Sequence, residues 1–161
     1  MRLPKAGIPA LIFSVVLIVA CSGGGSTQEY EEQIEATYDL FSQSMDKFRQ
    51  LDQEFADQAT ATNSFAVLQR HAVRMAPEMD ALIADIRRVE NEFFDITPPK
   101  QYREDHDLGY ELAQGFRRVL LVSSQAFDAV VQRSPERRNR VIEASSVTDE
   151  FNRKLARSRL P

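Results

Sequence analysis

The sequence predicts an all-α protein, an antiparallel up-down-up-down four-helix bundle that follows an N-terminal signal peptide and a flexible tether. Four long segments space their apolar residues by alternating threes and fours, the signature of one buried helix face. Beyond residue 25 the only glycines are Gly109 and Gly115, and tryptophan is absent. The breaks between segments are short, which favours antiparallel neighbours.

The first helix is expected over about residues 29–58, with Tyr30, Ile34, Tyr38, Phe41, Met45, Phe48 and Phe55 along one stripe. Ser26 followed by Glu29 has capping-box spacing, and Glu31 and Glu32 suit the positive end of the helix dipole. The second, about residues 64–95, repeats Phe65, Leu68, Ala72, Met75, Met79, Leu82, Ile86, Val89 and Phe93 at heptad spacing. Pro77 falls opposite that stripe, so one bent helix keeps its register on both sides of it.

Thr97-Pro98-Pro99 stops the second helix, because proline disfavours helix in the residue before it yet fits the first turn of the next one. The third helix then runs from near residue 100 to about 132, with Tyr102, His106, Gly109, Ala113, Phe116, Leu120, Ser123, Phe127 and Val130 on its stripe. Ser134-Pro135-Glu136 reads as an N-cap, a first-turn proline and an acidic second position opening the fourth. That last stripe is thin, carrying Val141, Ala144, Thr148, Phe151 and Leu155. Two other arrangements fit the same pattern: a dimerising helical hairpin, and three helices with the fourth loosely attached.

Ahead of the helices, Arg2 and Lys5 flank an apolar run over residues 8–20, broken only by Pro9 and Ser14. This is a signal peptide in outline. Its 13 residues fall short of the roughly 20 that a spanning helix needs. The run ends in Ile18-Val19-Ala20-Cys21, which resembles the lipobox of bacterial lipoproteins at every motif position. That resemblance implies cleavage before Cys21 and a diacylglyceryl group on its sulfur, often with acylation of the new amino terminus. Two or three acyl chains give a lasting anchor where one binds only reversibly. Cys21 is the sole cysteine, so no intramolecular disulfide can form.

The expected organisation is therefore a signal peptide at residues 1–20, the lipidated cysteine and a Gly/Ser tether at 21–27, and one helical domain at 28–161. Treated as random coil, the tether spans roughly 14 Å, which holds the domain near its membrane. Ser22 is not the aspartate that marks inner-membrane retention in that family, so the expected location is a cell membrane or outer membrane, facing away from the cytoplasm. The bundle topology would gather the tether, Phe93, Phe94, Tyr102 and the C-terminus at the membrane-proximal end. Residues 59–63 and the turn at Arg133 and Ser134 would form the distal tip.

Charge is uneven along the chain. Residues 22–97 carry 15 acidic and 6 basic side chains, and residues 98–161 carry 9 acidic and 12 basic. The resulting charge of −6 beyond the signal argues against a nucleic-acid partner, as does export. Arg153, Lys154, Arg157 and Arg159 crowd the end of the fourth helix, either to meet anionic lipid head groups or to compensate the helix dipole. Arg133, Arg137, Arg138 and Arg140 cluster at the distal tip, as a docking site or as a solvated turn paired with acidic helices.

Motifs that carry chemistry are absent from the sequence. Neither His71 nor His106 has Glu-x-x-His spacing, and no haem attachment, phosphate loop, zincin helix or nucleophile elbow occurs. The expectation is a non-catalytic protein without cofactor or resident metal. Its expected partners are the membrane, through Cys21, and a protein of the envelope.

One local feature stands apart. His106 lies on the apolar stripe amid Glu104, Asp105 and Asp107, three residues before Gly109, whose place inside a helix costs about 1 kcal/mol relative to alanine. Two accounts fit: a ligand site formed by His106, Tyr102 and Asp105 with Tyr30 or Tyr38 nearby, or a buried histidine bonded to a tyrosine or carboxylate. Pro98-Pro99 with Tyr102, His106, Leu112 and Ala113 also loosely resembles the opening of a helix in small helical lipoproteins, a likeness that implies no activity.

Overall fold

A computed structural model of the protein describes residues 25–62 and 64–158. Helix α1 spans Gly25–Ala61, α2 Phe65–Asp95, α3 Arg103–Val131 and α4 Arg137–Arg157, with a single 3-10 turn, Lys100–Tyr102, leading into α3. The described residues contain no strand, so the fold is all-α. Cys21, the signal segment and Arg159 lie outside the described residues.

Two boundaries differ from the sequence expectation. Helix α1 is already formed at Gly25, so it takes up the last three residues of the expected tether. Ser26 accordingly sits inside the helix rather than capping it. The same helix continues to Ala61, through most of the expected tip at residues 59–63; Thr62 N–H still bonds the Gln58 carbonyl at 3.2 Å. Asn63 is outside the described residues.

Pro77 leaves α2 a single helix because it lies on the exposed side, where the unsatisfied carbonyl one turn back meets water. The opposite stripe is the driest part of the fold: Ala72, Met75, Met79, Ile86 and Val89 are fully buried. Burying each large apolar side chain stabilises by about 1.5–3 kcal/mol, so this stripe anchors the core.

Cross-helix partners define how the helices meet. Between α1 and α2, Thr37 meets Glu92, Lys47 meets Glu78 and Glu54 meets Arg74, so partner numbers fall along α2 as they rise along α1. Between α2 and α3, Phe93 meets His106, Glu90 meets Arg117 and Val131 meets Gln69. Between α3 and α4, Glu111 meets Lys154 and Gly115 meets the Phe151 ring.

Phe116 of α3 is the hub of the core. Its ring lies 5.9 Å from Phe41, 5.7 Å from Phe48 and 5.5 Å from Phe151, in tilted or edge-on geometry. Offset aromatic pairs of this kind add about 0.5–1.5 kcal/mol each beyond the area they bury. Phe151 reaches the shared core through this ring, although α4 approaches no helix but α3 at backbone distance. Only Ala144 and Phe151 of α4 are buried, in keeping with its thin stripe.

Helix α3 ends in a Schellman motif. Ser134 N–H bonds Ala129 O at 2.9 Å and Arg133 N–H bonds Val130 O at 3.2 Å, with Arg133 in the left-handed region at φ 54°. Ser134 then turns to the next helix, its Oγ accepting the Glu136 N–H at 3.2 Å, but the N-cap position falls on Glu136 and not on Ser134 as the sequence predicts, so Pro135 lies in the turn and outside the helix. The regular helix begins at Arg137, after the turn made by Pro135 and Glu136.

Candidate functional site

The residues singled out around His106 meet where α2 stops and α3 starts. The chain turns extended at Ile96 (ψ 127°) and Pro98 and Pro99 carry no N–H, so the carbonyls of α2 beyond Glu92 lose their i+4 donors. Ile96 N–H takes the Glu92 carbonyl at 3.1 Å. The Phe93 carbonyl is met by His106 Nε2 at 2.8 Å.

That contact assigns the tautomer. A carbonyl can only accept, so Nε2 carries the proton and, in the neutral ring, Nδ1 presents its lone pair. Tyr30 Oη lies 3.2 Å from Nδ1 and donates to it. His106 is 5 % exposed, and both nitrogens are used within the fold, which leaves no lone pair for a metal or other ligand. Of the two accounts of His106, the geometry is that of the buried, bonded histidine.

The surrounding rings form a closed aromatic cluster. Tyr102 stacks on Tyr30 at 5.2 Å, and Phe93 sits edge-on to both His106 and Tyr38 at 5.3 Å. The Tyr102 hydroxyl donates to the Glu31 carboxylate, a bond that raises the tyrosine pKa because ionisation would place two negative charges together. Tyr38 Oη donates to the backbone carbonyl of Asp105 at 3.1 Å. Asp105 thus contributes its backbone, and its side chain faces solvent.

Burial, aided by the nearby charge of Asp105, pushes the Tyr30 phenol up to about 12. Tyr38 is raised further by the same cause. Both are therefore hydrogen-bond donors across the ordinary pH range.

Gly109 explains how so many rings fit. A Cβ at this position would lie 2.5 Å from Tyr38 Oη and 2.8 Å from the Phe93 ring, so the glycine is a packing requirement of the cluster. Gly115 plays a milder version of the same part, its imagined Cβ lying 3.2 Å from Phe151.

The basic residues of α4 divide. Lys154 is paired with Glu111 at 2.9 Å, whereas Arg153 and Arg157 are exposed on the last turns. At the other end, Arg133 and Arg137 both lie over the Phe65 ring, at 5.6 and 5.3 Å, and Arg140 is within 3.1 Å of Glu143. Arg138 is exposed.

Several polar contacts escape the sequence pattern. Gln69 donates to the Val131 carbonyl at the end of α3 and accepts from Arg133 at 3.3 Å. Thr37, 1 % exposed, donates to Glu92 at 3.0 Å, and Glu90 pairs with Arg117 at 2.9 Å although burial raises its pKa. Both Thr37 and Gln69 sit one helical step from an apolar stripe, the only signal that could have flagged them.

Among the described residues no group of three His, Cys, Asp or Glu side chains is placed to hold a metal ion. Among the described residues, shallow open hollows lie along Arg49, Gln53 and Asp57 of α1 and beside Asp128, Ser134 and Arg140. Neither touches His106. No described helix is long and apolar enough to cross a membrane. No family model, curated protein or solved structure matches the chain.

Proposed function

We propose that the chain is a lipid-anchored extracytoplasmic protein whose domain is an antiparallel up-down-up-down four-helix bundle serving as a non-catalytic interaction or envelope-structural module. The observation that carries this is Cys21, the sole cysteine, closing Ile18-Val19-Ala20-Cys21 after a 13-residue apolar run and standing four residues ahead of α1. An acylated cysteine so close to a helical domain holds that domain at a membrane surface. The falling and rising order of cross-helix partners supports the up-down topology.

A non-catalytic role is supported by where the polar chemistry goes. The most buried titratable ring, His106, spends both nitrogens on helix ends and packing. The same fact weighs against the alternative of a ligand or metal site at His106, Tyr102 and Asp105. The net charge of −6 beyond the signal supports a protein or lipid partner over nucleic acid.

The anchor is tested by metabolic labelling with radioactive palmitate in cells producing the chain or its Cys21→Ser variant. Label on the parent and none on the variant is expected, together with loss of detergent-phase partitioning. Equal labelling of both would overturn the anchor. Crosslinking in native membranes followed by mass spectrometry tests the interaction role, which predicts a reproducible envelope partner.

A further inference from the structure

The last turn of α2 turns one phenylalanine inward and its neighbour outward. Phe93 is 1 % exposed within the aromatic cluster, and Phe94 is 77 % exposed, more than Ile142, Val73, Val141 or Leu121. Such a ring in water is unfavourable by the area it leaves wet, so its position matters. It lies at the end of the fold where α1 begins, because Tyr30 of α1 reaches Phe93 through His106.

Basic side chains flank it on both helices, with the exposed carboxylates of Asp95 and Asp107 alongside them. Arg87, exposed, precedes Phe94 by two helical turns and so shares its face of α2. On α3, the pairing of Arg117 with Glu90 marks the face that borders α2. Arg103 and Tyr110 repeat that face four turns and two turns earlier, Arg103 exposed and Tyr110 half-buried. An exposed aromatic ring between arginines is the chemistry of a bilayer interface, where rings settle at the head-group boundary and guanidinium groups meet lipid phosphates.

We propose that the α2–α3 edge centred on Phe94, with Arg87 and Arg103, lies against the lipid surface that holds Cys21. This rests on the lipid-anchor reading and adds an orientation to it. The chain between Cys21 and Gly25 can span at most about 14 Å. Packed helices lie about 8–10 Å apart, so α1 riding one layer above the α2–α3 edge is within that reach. An upright bundle would lift Phe94 away: the Thr37–Glu92 bond sets the last turn of α2 opposite residues about 15 Å along α1 from its start. The bundle therefore leans on this edge.

The absence of tryptophan makes the test clean. Phe94→Trp and, on the far half of the same helix, Val73→Trp each place one indole at an exposed site that tolerates it. The lipidated variants are reconstituted into vesicles of phosphatidylethanolamine and phosphatidylglycerol, with and without brominated acyl chains, and floated on a density gradient. The expected result is that both proteins float, that Phe94→Trp emission shifts to the blue and loses most of its intensity to bromine, and that Val73→Trp emission stays that of water-exposed indole. Floating protein with equal, weak quenching at the two sites would overturn the orientation and leave the anchor standing. Protein that carries no lipid and fails to float would overturn the anchor and the orientation with it.

Discussion

His106 Nε2 donates to the Phe93 carbonyl at 2.8 Å, which fastens the start of α3 to the end of α2. The opposite ends of the same two helices are joined in kind, with Gln69 of α2 donating to the Val131 carbonyl of α3. Each helix thus supplies a side chain that satisfies an orphan carbonyl in the last turn of the other. This reciprocal capping gives α2 and α3 a fixed register that apolar stripes alone, which tolerate sliding by a turn, do not supply.

Replacing the histidine tests the register. His106→Ala leaves the Phe93 carbonyl and the Tyr30 hydroxyl buried without partners and opens a small cavity, so a loss of about 2–4 kcal/mol is expected from urea denaturation. His106→Phe fills the space but restores neither bond, and it is expected to recover only part of that loss. Zinc added to the parent should leave the midpoint unchanged, since neither ring nitrogen is free. A zinc-dependent rise abolished by His106→Ala would contradict the assigned tautomer.

The Tyr30 phenol supplies a pH dependence of definite sign. Burial raises its pKa in the folded state to about 12, above the ordinary 10.0 of a tyrosine phenol, so the folded protein holds this proton more tightly than the unfolded chain does. The associated stability is complete below pH 10 and is lost as pH rises from 10 through 12. Urea midpoints should fall across that window in the parent and fall less steeply in Tyr30→Phe. The variant should also be weaker at neutral pH by about 1 kcal/mol, because Nδ1 of His106 loses its donor.

Gly109 and Gly115 predict unequal responses to the same change. Alanine is favoured over glycine within a helix by about 1 kcal/mol. At Gly109 that gain is outweighed by contacts of 2.5 Å to Tyr38 Oη and 2.8 Å to Phe93, so Gly109→Ala is expected to destabilise by about 1–3 kcal/mol. At Gly115 the nearest atom is 3.2 Å away on Phe151, and Gly115→Ala should be close to neutral. Tyr38→Phe combined with Gly109→Ala removes the oxygen in the closest contact. A double-mutant cycle should then show coupling that relieves the penalty, and additive costs would mean that Tyr38 is not the obstacle.

Much of this fold was legible because its apolar residues follow one period. The α2 stripe is buried from Ala72 to Phe93 and the α3 stripe from His106 to Val130, although Ile83, Leu112, Val119, Ala126 and Ala129 also bury beside them, and the two proline breaks fall where the helices end. The start of α1 was not legible, since Gly25 and Ser26 have tether composition and become helical as an extension of a strong neighbouring segment. Proximity of Tyr30, Tyr102 and His106 followed from the expected topology, but the partners of the ring nitrogens could not, because one of them is a backbone carbonyl. Gln69 was invisible for a similar reason: its role is to cap a carbonyl 62 residues away, and side chain to backbone bonds leave no periodic trace.

The Arg133 turn isolates a backbone cost from a side-chain gain. A non-glycine residue in the left-handed region is disfavoured by roughly 1–2 kcal/mol, and Arg133 at φ 54° bears that cost while its guanidinium lies over Phe65 and bonds Gln69. A cation over an exposed ring returns about 0.5–1 kcal/mol. Arg133→Ala removes the side-chain contacts and keeps the strain, whereas Arg133→Gly removes both. The glycine variant is therefore expected to be more stable than the alanine variant by about 1 kcal/mol, with the parent between them or near the glycine form. Thermal or urea unfolding of the three proteins decides it. An alanine variant as stable as the glycine one would mean that the α3–α4 turn abandons the left-handed conformation once the arginine is gone.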